Sequence, residues 1–342
     1  MTDIALLIVS LIMILVSAEV FTNGVEALGR RLDLSQAVVG SVLAAVGTAL
    51  PETILPFVAI FLHQGEAAKH IGVGAILGAP FMLATLAFFL IGCTAIVRFL
   101  MKKRRFELRA EISSTRRDLI FFILMYGAAI VLPFFFRGGR AIIAAGLIAG
   151  YCIYVFLTFR GKSGGMFHAE ELYGRRLLSA IYTRTNARSE RSAELISLIC
   201  LQVVLSLVLM VEGSHLFVNG LEVLSRTWGL SPLLFSLLAA PVATELPEKF
   251  NSISWTFKGK DTLAIGNVTG AMVFQSTFPV SLGLLFTDWE LSGPALFSAE
   301  LALLSAIIVL ADISLRKKVS PVTILAGGAF YLIYLTAIIL KP

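Results

Sequence analysis

Long apolar stretches separated by short polar segments run through the whole chain. Ten of these stretches are long enough to cross the roughly 30 Å hydrocarbon core of a bilayer, for which a helix needs about 20 residues. The pattern therefore predicts an all-α polytopic membrane protein with about ten transmembrane helices. The stretches lie at 4–22, 37–62, 71–97, 118–136, 141–159, 194–218, 231–256, 262–286, 293–312 and 320–340.

Composition supports the membrane class, and the distribution of charge predicts an orientation. The 342 residues are 57% hydrophobic and 15% charged, with a mean hydropathy of +0.88. Lysine and arginine concentrate in 98–117 and 160–193, which lie on the same side of the membrane when ten spans are counted. The positive-inside rule puts these loops in the cytoplasm and both termini outside, and we expect a prokaryotic plasma membrane. The net charge of +6 follows from this topology and gives no indication of nucleic-acid binding.

The two halves of the chain contain copies of one pattern. Residues 18–52 align with 214–248 without a gap, and 74–79 align with 266–271. An odd number of predicted spans separates each element from its copy, so the copies cross the membrane in opposite directions, as in inverted-repeat transporters. We predict a first five-helix repeat at 1–160, a basic cytoplasmic loop at 161–193 and a second five-helix repeat at 194–342.

The strongest match between the copies is GTALPE at Gly47–Glu52 and ATELPE at Ala243–Glu248. A carboxylate inside an apolar span is costly and therefore indicates a functional site. A proline lacks the N–H of a helical residue and frees the carbonyl one turn before it, so each proline should kink its helix. Freed carbonyls, hydroxyls and carboxylates are the ligands that a hard cation prefers. The residues concerned are Thr48, Pro51 and Glu52 in the first motif and Thr244, Pro247 and Glu248 in the second.

A glycine-rich span follows each motif. Small residues allow helices in a membrane to approach closely, so we interpret these glycines as packing positions. They are Gly74 and Gly78 in the first repeat and Gly266 and Gly270 in the second.

These paired motifs, each followed by a glycine-rich span, resemble the two α-repeats of the cation/Ca²⁺ exchanger superfamily. The resemblance covers about 17–92 and 213–284. It implies a membrane antiporter that binds Ca²⁺ near the membrane midplane and counter-transports Na⁺ or H⁺. It also implies that Glu52 and Glu248 are the central, metal-binding ligands, with Thr48 and Thr244 beside them. Backbone carbonyls of Ala45 and Pro241 would complete the set.

The chain departs from the family pattern around these residues. The family serine after the motif threonine is Ala49 in the first repeat and Glu245 in the second, and Gln275 stands where a third carboxylate is often found. Glu245 therefore adds a third acidic group, so we include both Glu245 and Gln275 among the predicted ion-binding residues. Lys249 follows Glu245 by four residues, which allows the two to pair on one helix face. Lys249 either replaces a bound cation or forms a packing pair.

Two further positions are predicted to modulate the site. His215 occupies the position of Glu19 in the repeat, and both lie near span ends. Either His215 makes a contact between helices or at a vestibule, or it faces the ion pathway as a proton-sensitive group.

The prediction for function is a secondary antiporter that exchanges Ca²⁺ or a similar divalent cation for Na⁺. An H⁺-coupled exchanger and a non-transporting scaffold or sensor with the exchanger fold remain alternatives. The sequence contains no nucleophile–base pattern, so we do not expect an enzyme. We expect no cofactor, and as partners only the transported cations and membrane lipid, without nucleic acid or an obligate protein partner.

Overall fold

The computed structural model describes residues 2–31, 44–103, 106–136, 138–160, 191–291 and 293–340. Within these ranges all regular structure is helical, and Leu108 and Val319 form an isolated β-bridge. Two short π-helical segments, Val58–Leu62 and Leu83–Ala87, interrupt the α-helices. The α-helices are α1 Thr2–Arg31, α2 Ala44–Phe57, α3 Glu66–Met82, α4 Phe88–Leu100, α5 Ile112–Phe135, α6 Arg140–Arg160, α7 Arg191–Trp228, α8 Pro232–Thr244, α9 Leu246–Phe257, α10 Asp261–Gln275, α11 Phe278–Phe286, α12 Gly293–Arg316 and α13 Pro321–Ile339.

Eight helical segments in the described part of the chain are long and apolar enough to cross a membrane. Two of them combine consecutive helices, α3 with α4 in Glu66–Leu100 and α10 with α11 in Asp261–Phe286, and the other six are α1, α5, α6, α7, α12 and α13. They coincide with eight of the ten predicted stretches, and the fold class, an all-helical multi-pass membrane protein, is therefore confirmed. The other two predicted spans correspond to shorter apolar helices at Ala49–Leu62 and Pro232–Val242. Both of these shorter helices belong to the segments that carry the paired motifs.

The two longest helices, α1 and α7, pack against each other along much of their length. Glycines bring them together, because a methyl group at Gly24 would lie 2.8 Å from Val203 Cγ2 and one at Gly213 would lie 3.1 Å from Ile14 Cγ1. A polar contact also joins them, since the Gln202 amide donates to the Val20 carbonyl at 2.9 Å. This close contact makes α1 and α7 one unit of the bundle.

The buried apolar side chains form two clusters. The larger contains α3–α6 and α10–α13, and it includes Phe81, Tyr126 and Tyr334. The smaller joins α1, α2 and α7 through side chains such as Ile14, Leu55 and Phe217. Residues of α3 and α8 occur in both clusters, so these two helices connect the α1–α7 pair to the rest of the bundle.

The connecting helices α3 and α8 touch at the glycines of the first repeat. A methyl group at Gly74 would overlap Ser236 Oγ and the Leu233 carbonyl, and one at Gly78 would overlap the Leu237 carbonyl. The glycines of the second repeat lie in more open surroundings. At Gly270 the nearest described atom to such a methyl group is Tyr154 Oη at 3.7 Å, and at Gly266 no described atom lies within 4 Å. Of these four repeat glycines, Gly74 and Gly78 are therefore the two that pack closely against described neighbours, and the predicted packing role is not seen at Gly266 and Gly270.

A buried carboxylate connects three helices of the larger cluster. Asp118 on α5 is 2% exposed and accepts hydrogen bonds from Thr269 Oγ1 on α10 at 2.8 Å and from Tyr154 Oη on α6 at 3.2 Å. Arg117 Nη2 lies 3.5 Å from the same carboxylate. These donors satisfy Asp118 within the protein, which indicates a structural role.

We predict that Asp118→Ala destabilises the protein, because it leaves the hydroxyls of Thr269 and Tyr154 buried without their acceptor. Leaving buried polar groups unsatisfied costs about 1–3 kcal/mol, which corresponds to a fall in the thermal unfolding midpoint of roughly 5 °C. Unfolding of the purified protein in detergent measures this. Asp118→Asn retains an acceptor oxygen, so its unfolding midpoint should fall less than that of Asp118→Ala. An equal fall in the two variants would contradict the structural role.

Candidate functional site

The two motifs have different backbones. In the first, α2 runs through Pro51 without interruption. In the second, α8 ends at Thr244, Glu245 has backbone angles of φ −95° and ψ 7°, and α9 begins at Leu246. Pro247 then lies in the first turn of α9, where a proline removes no helical hydrogen bond. The second motif is thus a break between two helices, and the break lies within an apolar region.

Three glutamates converge at this break. Glu52 on α2 is 5% exposed, Glu248 on α9 is 7% exposed and Glu245 is completely buried. The Glu52 carboxylate lies within electrostatic range of both of the others. The structure therefore brings together the motif glutamates from the two halves of the chain, together with the additional acidic group of the second motif.

Several oxygens of this cluster are buried and accept no hydrogen bond from the described residues. A buried ionised carboxylate without a partner is strongly unfavourable, so these carboxylates are expected to bind a cation or to be protonated. Gln275, at the end of α10, lies beside the Glu245 carboxylate and contributes a neutral amide to the same cluster. The oxygens concerned are Oε1 and Oε2 of Glu52, Oε1 of Glu245, Oε2 of Glu248 and Oε1 of Gln275.

The glutamates do not form a preformed cage of carboxylates. Within the described ranges, no group of three or more His, Cys, Asp or Glu side chains is placed to hold one metal ion. A divalent cation at Glu52 and Glu248 would therefore take its remaining ligands from neutral oxygens, as Ca²⁺ commonly does. The Thr244 hydroxyl is nearby in sequence but donates to the Ala240 carbonyl at 3.3 Å. Thr48 and Ala45 lie outside the residues whose surroundings the structure describes.

Lys249 occupies part of the predicted ion site. Its ammonium donates to Glu245 Oε2 at 2.9 Å and to the Pro241 carbonyl at 3.1 Å, and the residue is 6% exposed. The Pro241 carbonyl also accepts the Glu245 backbone N–H at 3.1 Å. Two of the predicted ion ligands, Glu245 and Pro241, are therefore bound to a cation that belongs to the protein.

His215 makes a contact between helices. Its Nδ1 lies 3.1 Å from Nε2 of His63, at the end of the π-helical segment after α2, and the same His63 nitrogen lies 3.1 Å from Asn219 Oδ1. No described contact joins His215 to the glutamates. Glu19 is exposed on α1. The described contacts of His215 therefore join neighbouring helices and do not reach the glutamate cluster.

Sequence reasoning missed Asn267 on α10. Its amide donates to the Glu248 carbonyl at 3.3 Å and to Ser252 Oγ at 3.2 Å, and so it links α10 to the turn of α9 that carries the motif glutamate. An asparagine beside Gly266, in a span that is otherwise mostly apolar, was the available signal. Its partner on α9 could not be read from the sequence.

Comparison with known proteins identifies the family of the chain. The sequence matches the sodium/calcium exchanger protein family over residues 2–160 and 198–340, which include both motifs. The chain belongs to this family. Members of the sodium/calcium exchanger family are ion transporters rather than enzymes, so the expectations of an antiporter-type membrane protein and of no enzymatic activity are confirmed.

Relatives and solved structures of the exchanger family cover nearly all of the chain. The inner membrane protein YrbG of Escherichia coli is 25% identical, over 95% of this chain and 94% of its own length. The putative antiporter CaxA of Alkalimonas amylolytica is 24% identical, over 90% of this chain and 88% of its own length. The crystal structure of the H⁺/Ca²⁺ exchanger CAX has a TM-score of 0.70 at 17% identity and covers 99% of this chain and 82% of that one. The sodium–calcium exchanger NCX_Mj has a TM-score of 0.58 at 17% identity, over 98% of both chains. These structures have the same fold.

Proposed function

We propose that the protein is a secondary antiporter that exchanges Ca²⁺ or a similar divalent cation for Na⁺. The observation that carries this proposal is the convergence of Glu52 and Glu248, where both carboxylate oxygens of Glu52 and Oε2 of Glu248 are buried and lack hydrogen-bond donors among the described residues. Two carboxylates from two helices can bind one divalent cation between them. Monovalent cations that neutralise the same carboxylates cannot be bound at the same time, so binding of one ion displaces the other.

Proton coupling is the second candidate, and a feature of the site favours it. The family resemblance implies serines that help to hold Na⁺ at two further positions, where this chain has Ala79 and Ala271. In addition, Lys249 binds Glu245 and the Pro241 carbonyl. Fewer oxygens are then available for Na⁺, whereas H⁺ needs only a carboxylate.

The architecture supports alternating access around the glutamates. We propose ten spans in two inverted repeats, in which the short helices carrying the motifs complete the eight long ones. The α1–α7 pair is one unit, and the smaller apolar cluster that contains it meets the larger cluster at α3 and α8, so we propose that this pair slides against the remaining helices. The basic loops would face the cytoplasm and both termini the outside of a prokaryotic plasma membrane.

The test is ⁴⁵Ca²⁺ uptake into proteoliposomes that contain the purified protein, with an outward Na⁺ gradient in one arm and an outward H⁺ gradient in the other. We expect uptake above that of protein-free liposomes in the Na⁺ arm. Uptake in the H⁺ arm alone would select proton coupling. No uptake in either arm would contradict Ca²⁺ exchange and would favour the scaffold or sensor alternative.

A further inference from the structure

The Lys249 ammonium lies at a position suited to a monovalent cation. It contacts a carboxylate oxygen and a backbone carbonyl, Glu245 Oε2 and Pro241 O, which are the ligand types that hard cations take. Glu245 is the residue between α8 and α9, and Pro241 lies in the last turn of α8 just before it. The ammonium is also within electrostatic range of Glu52 and Glu248.

A packing role alone explains this arrangement poorly. Burying an ion pair contributes little to stability on average, because removal of the two charges from water offsets their attraction. Here the pair is nearly completely buried and lies beside two further carboxylates. An apolar pair of similar size would fill the same space without adding a third carboxylate to the cluster. The charge of Lys249 is therefore the property that needs an explanation.

The fixed charge changes the number of ions that the site can carry. The three glutamates bring three negative charges when ionised, and Lys249 neutralises the one on Glu245. The remaining charge of two, on Glu52 and Glu248, is balanced by one divalent cation or by two monovalent cations. The occupied site is then neutral in both half-cycles.

We propose that Lys249 is a tethered cation that takes the place of one transported monovalent ion and makes the exchange electroneutral, with one divalent cation for two monovalent cations. This inference rests on the proposed antiport. It assigns Lys249 a role in setting stoichiometry, without contact to the transported ions.

The test is the voltage dependence of Ca²⁺ accumulation in proteoliposomes whose membrane potential is set by K⁺ gradients and valinomycin, in the presence of the coupling gradient. An exchanger that moves one net charge per cycle changes its steady-state Ca²⁺ ratio by about 50-fold per 100 mV. The wild-type protein should show no change. In Lys249→Gln, the free carboxylate of Glu245 should bind one more monovalent cation, and the ratio should shift by about 50-fold per 100 mV.

The matched control is the double variant Glu245→Gln/Lys249→Gln, which removes both charges and should again be independent of voltage. A voltage-dependent wild-type protein overturns the inference even if neither variant folds. A voltage-independent Lys249→Gln that still accumulates Ca²⁺ overturns it as well and leaves Lys249 as a packing residue. Absence of Ca²⁺ accumulation in the wild type contradicts the proposed function itself, and this result is distinct from the other two.

Discussion

Glu52→Gln and Glu248→Gln should each lower the initial rate of ⁴⁵Ca²⁺ uptake by about 100-fold or more. Glutamine keeps the shape of the side chain but removes one of the two charges that balance a divalent cation. Loss of one partner from a buried charge interaction costs about 2–5 kcal/mol, which is consistent with a reduction of this size. The measurement compares proteoliposomes with equal protein content under the gradient that drives the wild type.

The control for these variants is Glu66→Gln at the start of α3. Glu66 is exposed and pairs with Lys69 at 2.9 Å on the surface, where such pairs contribute little. This variant should transport as the wild type does. Wild-type uptake in Glu52→Gln or in Glu248→Gln would show that the convergent glutamates do not carry the exchange.

Gly78→Ala should destabilise the protein and should also impair transport. The added methyl group would overlap the Leu237 carbonyl and would lie 2.7 Å from Pro241 Cγ, so α3 and α8 would have to separate. Overpacking of this kind costs about 1–3 kcal/mol, and the unfolding midpoint should fall by roughly 5 °C. The same displacement would move Pro241, whose carbonyl holds Lys249. Thermal unfolding in detergent and ⁴⁵Ca²⁺ uptake measure the two effects.

The second repeat offers the matched control for Gly78. Gly270 occupies the equivalent position, and a methyl group there would make only an ordinary contact, at 3.7 Å from Tyr154 Oη. Gly270→Ala should therefore unfold near the wild-type midpoint. If the two alanine variants lose equal stability, the close approach of α3 and α8 does not depend on Gly78.

Much of the fold follows from the sequence because apolar length and repeated motifs are local properties. Eight predicted stretches correspond to the eight long membrane helices. The paired motifs also predicted which two glutamates should meet, because the predicted inverted copies would bring equivalent residues to one depth in the membrane. Glu52 and Glu248 are indeed within electrostatic range of each other.

The remaining features depend on contacts between distant parts of the chain. The i, i+4 spacing predicted that Lys249 can pair with Glu245, but not that its ammonium also reaches the Pro241 carbonyl across the helix break. Equal glycines in the two repeats gave no reason to expect close packing at Gly78 and open space at Gly270. These differences arise from neighbouring helices, which a single segment does not specify.

The most direct test of the central claim is equilibrium binding of ⁴⁵Ca²⁺ to the purified protein, with the double variant Glu52→Gln/Glu248→Gln measured alongside. We predict saturable binding to the wild type, displaced by the coupling cation, and no saturable binding to the double variant. Saturable binding of unchanged affinity in the double variant would contradict the assignment of the site to Glu52 and Glu248.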